Sequence, residues 1–161
     1  MPEFTHFDER GNSQMVDVGD KPVSARSAIA MALIECRQET IVAIQQSNIS
    51  KGNVFEVARL AGIMGCKQTS TLIPLCHPLP LDKVSLDFEL VDECTIRITS
   101  SVKTHGRTGV EMEALTACSV AALTVYDMCK SMDREMTIRS IQLVEKRGGK
   151  SGDFIRTSLE D

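Results

Sequence analysis

The chain is 161 residues long, which suits one domain around a single core and would leave two independent cores cramped. Aromatic residues make up only 4%, with no Trp and a single Tyr126, so packing must rest on Ala, Ile, Leu, Val and Met. A net charge of −4 argues against a general nucleic-acid surface, and no apolar run reaches the length of a membrane span, so neither nucleic acid nor membrane is an expected partner.

Residues 1–20 read as a loose, polar arm, with a short strand at Met15 to Val18, and lack the apolar segment of a secretory signal; a cytoplasmic chain is expected. The six cysteines have no Cys-x-x-Cys pair and read as reduced, mostly buried small residues. From Lys21 to Cys36 the pattern fits an Ala-rich helix or a strand, and periodicity does not choose between them. Arg26 is exposed in either reading.

Glu39 to Ser47 predicts a short helix ending in a turn over Ser47 to Gly52. Asn53 followed by Glu56 is a helix-start signature, since the Asn side chain caps free N–H groups and the acid reaches back. Val54, Val57, Ala58, Ala61 and Met64 then trace an apolar stripe to about Gln68, while Ala61, Gly62 and Gly65 permit close approach of another element.

The stretch Ile73 to Pro80 holds three of the five prolines and reads as a rigid, helix-free loop, with Cys76 and His77 its only groups able to act as acid, base or ligand. Lys83 to Leu90 and Cys94 to Lys103 alternate polar and apolar, predicting an antiparallel hairpin turning at Asp92-Glu93. The run His105 to Gly109 breaks the second strand, and Thr108 or Gly109 could cap the next element. Gly109 to Met132 predicts a helix of about six turns, with Val110, Ala114, Ala117, Cys118, Ala121, Val125 and Met128 on one stripe. A last strand over Met136 to Val144 leads to the glycine-rich Lys146 to Gly152 and a frayed polar tail over 153–161.

Glu113, Asp127 and Lys130 fall off that apolar stripe. Asp127 and Lys130 are helical neighbours: either a plain surface ion pair, or a lysine held by an aspartate as proton donor or phosphate ligand. Glu113 and Asp127 lie about 21 Å apart along a helix, too far for one small substrate, which hints at a site shared between subunits. His77 reads equally as an acid/base or hydrogen-bonding group and as a structural loop residue, and no neighbouring residues have metal-ligand spacing. Gly149-Lys150-Ser151 is no P-loop, because Val144 stands where that motif needs its first Gly. Lys146, Arg147 and Lys150 around glycines, and Lys51-Gly52 before a helix start, still offer places for phosphate.

The stretches Lys51 to Phe55, Ala58 to Met64, Leu72 to Leu79, Thr108 to Ala117, Tyr126 to Lys130 and Lys146 to Gly152 together closely resemble the MoaC family, the cyclic pyranopterin monophosphate synthases of molybdenum cofactor biosynthesis. The resemblance implies an α+β, ferredoxin-like antiparallel sheet packed against helices, with the Lys21 to Cys36 stretch a strand. It also implies a homohexamer, a trimer of dimers, with sites at subunit interfaces. The substrate would be cyclised dihydroguanosine triphosphate (cyclised dihydro-GTP) made by a radical SAM enzyme upstream, converted to pyranopterin and pyrophosphate without metal or organic cofactor. Carried over residue by residue, Asp127, Lys51, Lys130 and Lys146 match the family's active-site aspartate and lysines, and Leu75, Cys76, His77, Met112 and Glu113 match substrate-binding positions. Arg26 and Glu111 match residues lining the pocket, while Ser50, Asn53, His105 and Arg147 depart from the usual pattern.

Overall fold

Ser24–Glu35 (β1) is the strand around which the sheet is assembled. In the computed structural model, which describes residues 6–46 and 51–157, it pairs antiparallel with Thr95–Gly106 (β3) on one side and Thr137–Arg147 (β4) on the other. Lys83–Leu90 (β2) extends the sheet beyond β3, and the short Phe154–Ile155 (β5) beyond β4, in the order β2-β3-β1-β4-β5. Between β1 and β2 come the helices Gln38–Gln45 (α1), Val54–Lys67 (α2) and Thr69–Leu72 (α3), and between β3 and β4 the long helix Glu111–Cys129 (α4). Two interleaved βαβ units of this kind, each inserting a strand between the other's parallel pair, make the ferredoxin-like α+β arrangement.

The pattern left β1 open between helix and strand; its central place, with a partner along each edge, makes it a strand. Ala28, Ala30, Ala32 and Ile34 turn one face of β1 to the helices and are fully buried with Ile96, Ile98, Ser100 and Val102 of β3. These small side chains let α4 lie close, and the Ser100 hydroxyl donates to the Ala114 carbonyl at 2.8 Å. Every residue of the apolar stripe predicted on α4, Val110 to Met128, is buried.

α2 is capped as expected: the Asn53 side chain accepts from Glu56 N at 3.2 Å. The Glu56 carboxylate does not reach back, because it pairs with Arg59 one turn on. The buried face of α2 is Val54, Ala58, Gly62, Gly65 and Cys66, rotated from the predicted stripe, so Val57 and Met64 lie outside. The glycines cause the rotation. A Cβ on Gly62 would come within 2.9 Å of the Ala117 carbonyl oxygen, and one on Gly65 within 2.6 Å of Val120 Cγ2, so α2 and α4 cross backbone to side chain.

Other differences lie at element ends. No strand forms at Met15 to Val18, where the arm is held by single contacts. β3 and β4 each run three residues further than predicted, because β1 pairs with them to their ends, Ser24 with Gly106 and Ser27 with Arg147. α4 begins at Glu111 without a side-chain cap from Thr108 or Gly109, and ends at Cys129 with Lys130 as its C-cap. Part of the tail pairs with β4 as β5. The predicted turn residues Ser47 to Ser50 and the ends 1–5 and 158–161 lie outside the described residues. Four cysteines are buried and two half-buried, all as free thiols, and burial pushes the Cys66 thiol up to about 12.

Gly62→Ala should lower stability by about 1–2 kcal/mol in urea unfolding. The helix-propensity gain of at most about 1 kcal/mol is outweighed by overpacking of about 1–3 kcal/mol against a carbonyl that cannot rotate away. An unchanged or raised midpoint would mean that the crossing has slack.

Candidate active site

The two ends of α4 carry different chemistry. At its N-terminal end a cleft of about 720 Å³ opens between the start of β1, the β3–α4 connection and the glycine-rich turn after β4. Five cations line it, Lys21, Arg26, Arg107, Lys146 and Lys150, against two acids, Asp20 and Glu111. Arg26 is half-buried, not exposed as predicted: its guanidinium donates to the carbonyls of Gly106 at 3.0 Å and Arg107 at 3.1 Å. Gly149, at φ +88°, brings the turn against that guanidinium where a Cβ would collide with it. The Lys146 ammonium lies 2.6 Å from the Ser151 hydroxyl and 3.6 Å from a Glu111 oxygen.

A second lobe of about 290 Å³ adjoins the cleft through Lys21, Thr108, Gly109 and Glu111. Leu75, Cys76 and His77 of the proline loop form one wall, Met112 and Glu113 of the first turn of α4 another, and Val16 and Val18 of the arm a third. His77 Nε2 lies 2.8 Å from the Val16 carbonyl, which only accepts, so Nε2 carries a proton and the histidine ties the arm across the loop. Glu113 is 4% exposed, against the expectation that it lay off the buried stripe. Burial pushes its carboxyl above the ordinary 4.5, the charge of Glu111 adds to the rise, and its own backbone N–H opposes it. Burial likewise raises the Cys76 thiol, with Glu113 adding to the effect.

At the C-terminal end, Asp127 sits between two ammonium groups, Lys130 Nζ at 2.7 Å and Lys51 Nζ at 3.2 Å, and Lys51 also donates to the Asp127 carbonyl at 2.7 Å. The hydrogen bonds from Lys130 and Lys51, and their charges, hold the exposed Asp127 carboxyl below its usual range. The cluster lies open to solvent, outside both lobes.

Within one chain, then, Arg26, Glu111, Lys146, Leu75, Cys76, His77, Met112 and Glu113 come together in two joined lobes, while Lys51, Asp127 and Lys130 form a separate group. The 16 residues from Glu111 to Asp127 put the groups about 24 Å apart along the helix. Lys21 and Arg107 escaped the sequence reading. Arg107 stood only in a strand-breaking run, although an arginine between two glycines before a helix was a signal for an anion site. Arg147 does not join Lys146 and Lys150: it turns to the other face of the sheet and pairs with Glu145 at 2.6 Å.

The Glu113 shift carries a sign. A carboxyl raised by folding costs nothing below the unfolded value near 4.5, where both states are protonated, and its cost grows as pH rises through the folded value. Glu113→Gln should therefore match the parent in stability at acid pH and exceed it near neutrality. Equal pH dependence in thermal melts would mean that the carboxyl is ionised without penalty.

The MoaC family model matches residues 15–149 of the chain. Among curated relatives, the cyclic pyranopterin monophosphate synthase of Brevibacillus brevis is 54% identical over 154 residues, covering 96% of each chain. The protein of that name from Desulfitobacterium hafniense is 55% identical, covering 96% of this chain and 94% of its own. The one from Heliobacterium modesticaldum is 55% identical over 157 residues, covering 97% and 99%. With the family match running over residues 15–149, including Arg26, His77, Glu113, Lys146 and the Lys51, Asp127 and Lys130 group, the chain belongs to the MoaC family.

Proposed function

We propose that this chain is a cyclic pyranopterin monophosphate synthase, a lyase that turns cyclised dihydro-GTP into cyclic pyranopterin monophosphate and pyrophosphate. The observation that carries the reading is the five-cation cleft beside a lobe with a buried carboxyl in its wall, in a chain similar to these synthases over nearly its whole length. A triphosphate is met by cations without a metal, and a heterocycle by the narrower, more apolar lobe.

The chemistry divides along the same lines. Closing the cyclic phosphate joins a hydroxyl oxygen of the substrate to the innermost phosphorus while the bond to the outer two phosphates breaks, and the hydroxyl proton leaves with the pyrophosphate. The departing pyrophosphate gathers charge that Arg26 and Lys146 offset. Rebuilding the rings moves protons, for which Lys51 and Lys130 are the donors and acceptors, oriented by the ionised Asp127 between them. Leu75, Cys76, His77, Met112 and Glu113 hold the heterocycle, with Glu111 steadying Lys146.

One substrate does not span about 24 Å, so the reading requires that the N-terminal lobes of one protomer face the Lys51, Asp127 and Lys130 group of another. It accords with a homohexamer built as a trimer of dimers, working in the cytoplasm downstream of a radical SAM enzyme that supplies the substrate.

Purified protein incubated with the cyclised intermediate should release pyrophosphate and pyranopterin together. Asp127→Ala and Lys146→Ala should each lose turnover at least about a hundredfold with the assembly intact. Mixed and reassembled, the two inactive variants should recover up to about a quarter of parental activity, since half the random pairs carry one site free of both changes. No recovery from well-mixed assemblies would sink the shared site, and no product from the folded parent would sink the synthase.

A further inference from the structure

The alternation that sends Lys146 into the cleft sends Arg147 to the opposite, helix-free face of the sheet, where it joins residues that the proposed reaction does not use. The strand registers put Lys83 opposite Lys103 across β2 and β3, Lys103 opposite Ser27 across β3 and β1, and Ser27 opposite Arg147 across β1 and β4. Their neighbours Val84, Val102 and Ala28 pack toward the helices, so this row of one residue from each of four strands faces away from them. One row further along, Ala25 lies opposite His105.

The row forms a trough of about 340 Å³. Its floor is Ala25 and Ser27 of the central strand; Lys83, Lys103 and His105 stand on one side and Arg147 on the other. His105 Nδ1 is held by Asp82 at 2.7 Å, and the Arg147 guanidinium by Glu145, so both groups already have a partner. Lys83 and Lys103 do not: both are exposed, and among the described residues neither has an acidic partner. Like charges directly opposite on neighbouring strands repel, so the sheet bears a local cost that a bound anion would remove. The small floor between taller basic side chains leaves room for a tetrahedral anion between Lys83 and Lys103, and the volume suits a ligand of one or two phosphate groups.

We propose that this trough, which meets the catalytic cleft only at Arg26, is a second anion site that takes a small phosphate-bearing ligand between Lys83 and Lys103. Diphosphate, free or as the end of a nucleotide tail, has the matching charge and span. The proposal stands apart from the synthase reading, since binding here does not require turnover.

Isothermal titration of the full chain with inorganic diphosphate, and separately with GTP, tests it at low salt. Two classes of diphosphate site are expected in the parent. Lys103→Glu and Lys83→Glu should each remove one class, weakening it at least tenfold, while keeping turnover of the cyclised intermediate within about twofold. Lys146→Ala should remove the other class and leave the trough. Binding of GTP to the class lost in Lys103→Glu would identify a nucleotide tail as the source, and binding of diphosphate alone the free anion. Diphosphate binding unchanged in both charge reversals would overturn the proposal. So would a change of particle size in Lys103→Glu, since the row would then face an acidic surface of a second copy. Lys103→Gln, with one charge fewer and no new acid, separates loss of the site from misfolding: it should melt no lower than the parent and gain less on adding diphosphate.

Discussion

The close crossing of α2 and α4 is the constraint on which the rest of the structure depends. Gly62 and Gly65 remove the side chains that would hold the helices apart, and Ala117, Val120 and Ala121 receive them. Because the helices touch at this depth, α4 lies flat on the alanine face of β1 and buries its whole apolar stripe. Its direction is thereby set, and so are the places of the polar groups at its two ends. Lys51, just before α2, reaches Asp127 only because α2 is clamped against the same helix.

The acids on α4 behave differently because their surroundings differ. Glu113 is taken out of water by the proline loop and the arm, and resists ionisation. Asp127 stands in solvent between two lysines and keeps its charge readily. The turn after α4 is secured separately: buried Asp133 accepts from Arg37 N at 2.8 Å and from the Thr40 hydroxyl at 3.2 Å, tying the start of α1 to the segment just beyond Lys130. On the other side of the molecule the same logic is inverted, with carbonyls of Gly106 and Arg107 gripping Arg26 so that its charge is fixed in place before any anion arrives.

Most of the fold was legible in the chain. Alternation marked β2 and β3, three- and four-residue spacing marked α4, and Asn53 with Glu56 marked the start of α2. The errors over β1, β3, β4 and β5 share one cause. β1 could not be told from a helix, β3 and β4 were drawn too short, and the tail strand was missed, because each is settled by a partner strand remote in sequence. The buried face of α2 was misjudged for a related reason: side-chain apolarity points to Val57 and Met64, whereas glycine permits a closer contact that excludes them.

For the site, the residue types themselves announced much of the chemistry. Prolines around Cys76 and His77 dictated a rigid loop, Asp127 and Lys130 one turn apart dictated an ion pair, and the helix length alone kept Glu113 away from Asp127, since each residue adds a fixed rise. Only the tertiary structure decided that Lys51 completes the Asp127 group, that Lys21 and Arg107 join Arg26 and Lys146, and that Arg147 belongs to the opposite face. Local geometry is set by bonded neighbours and is written in the chain. Which charges share a cavity depends on strand register and helix crossing, which emerge when distant segments exclude water together.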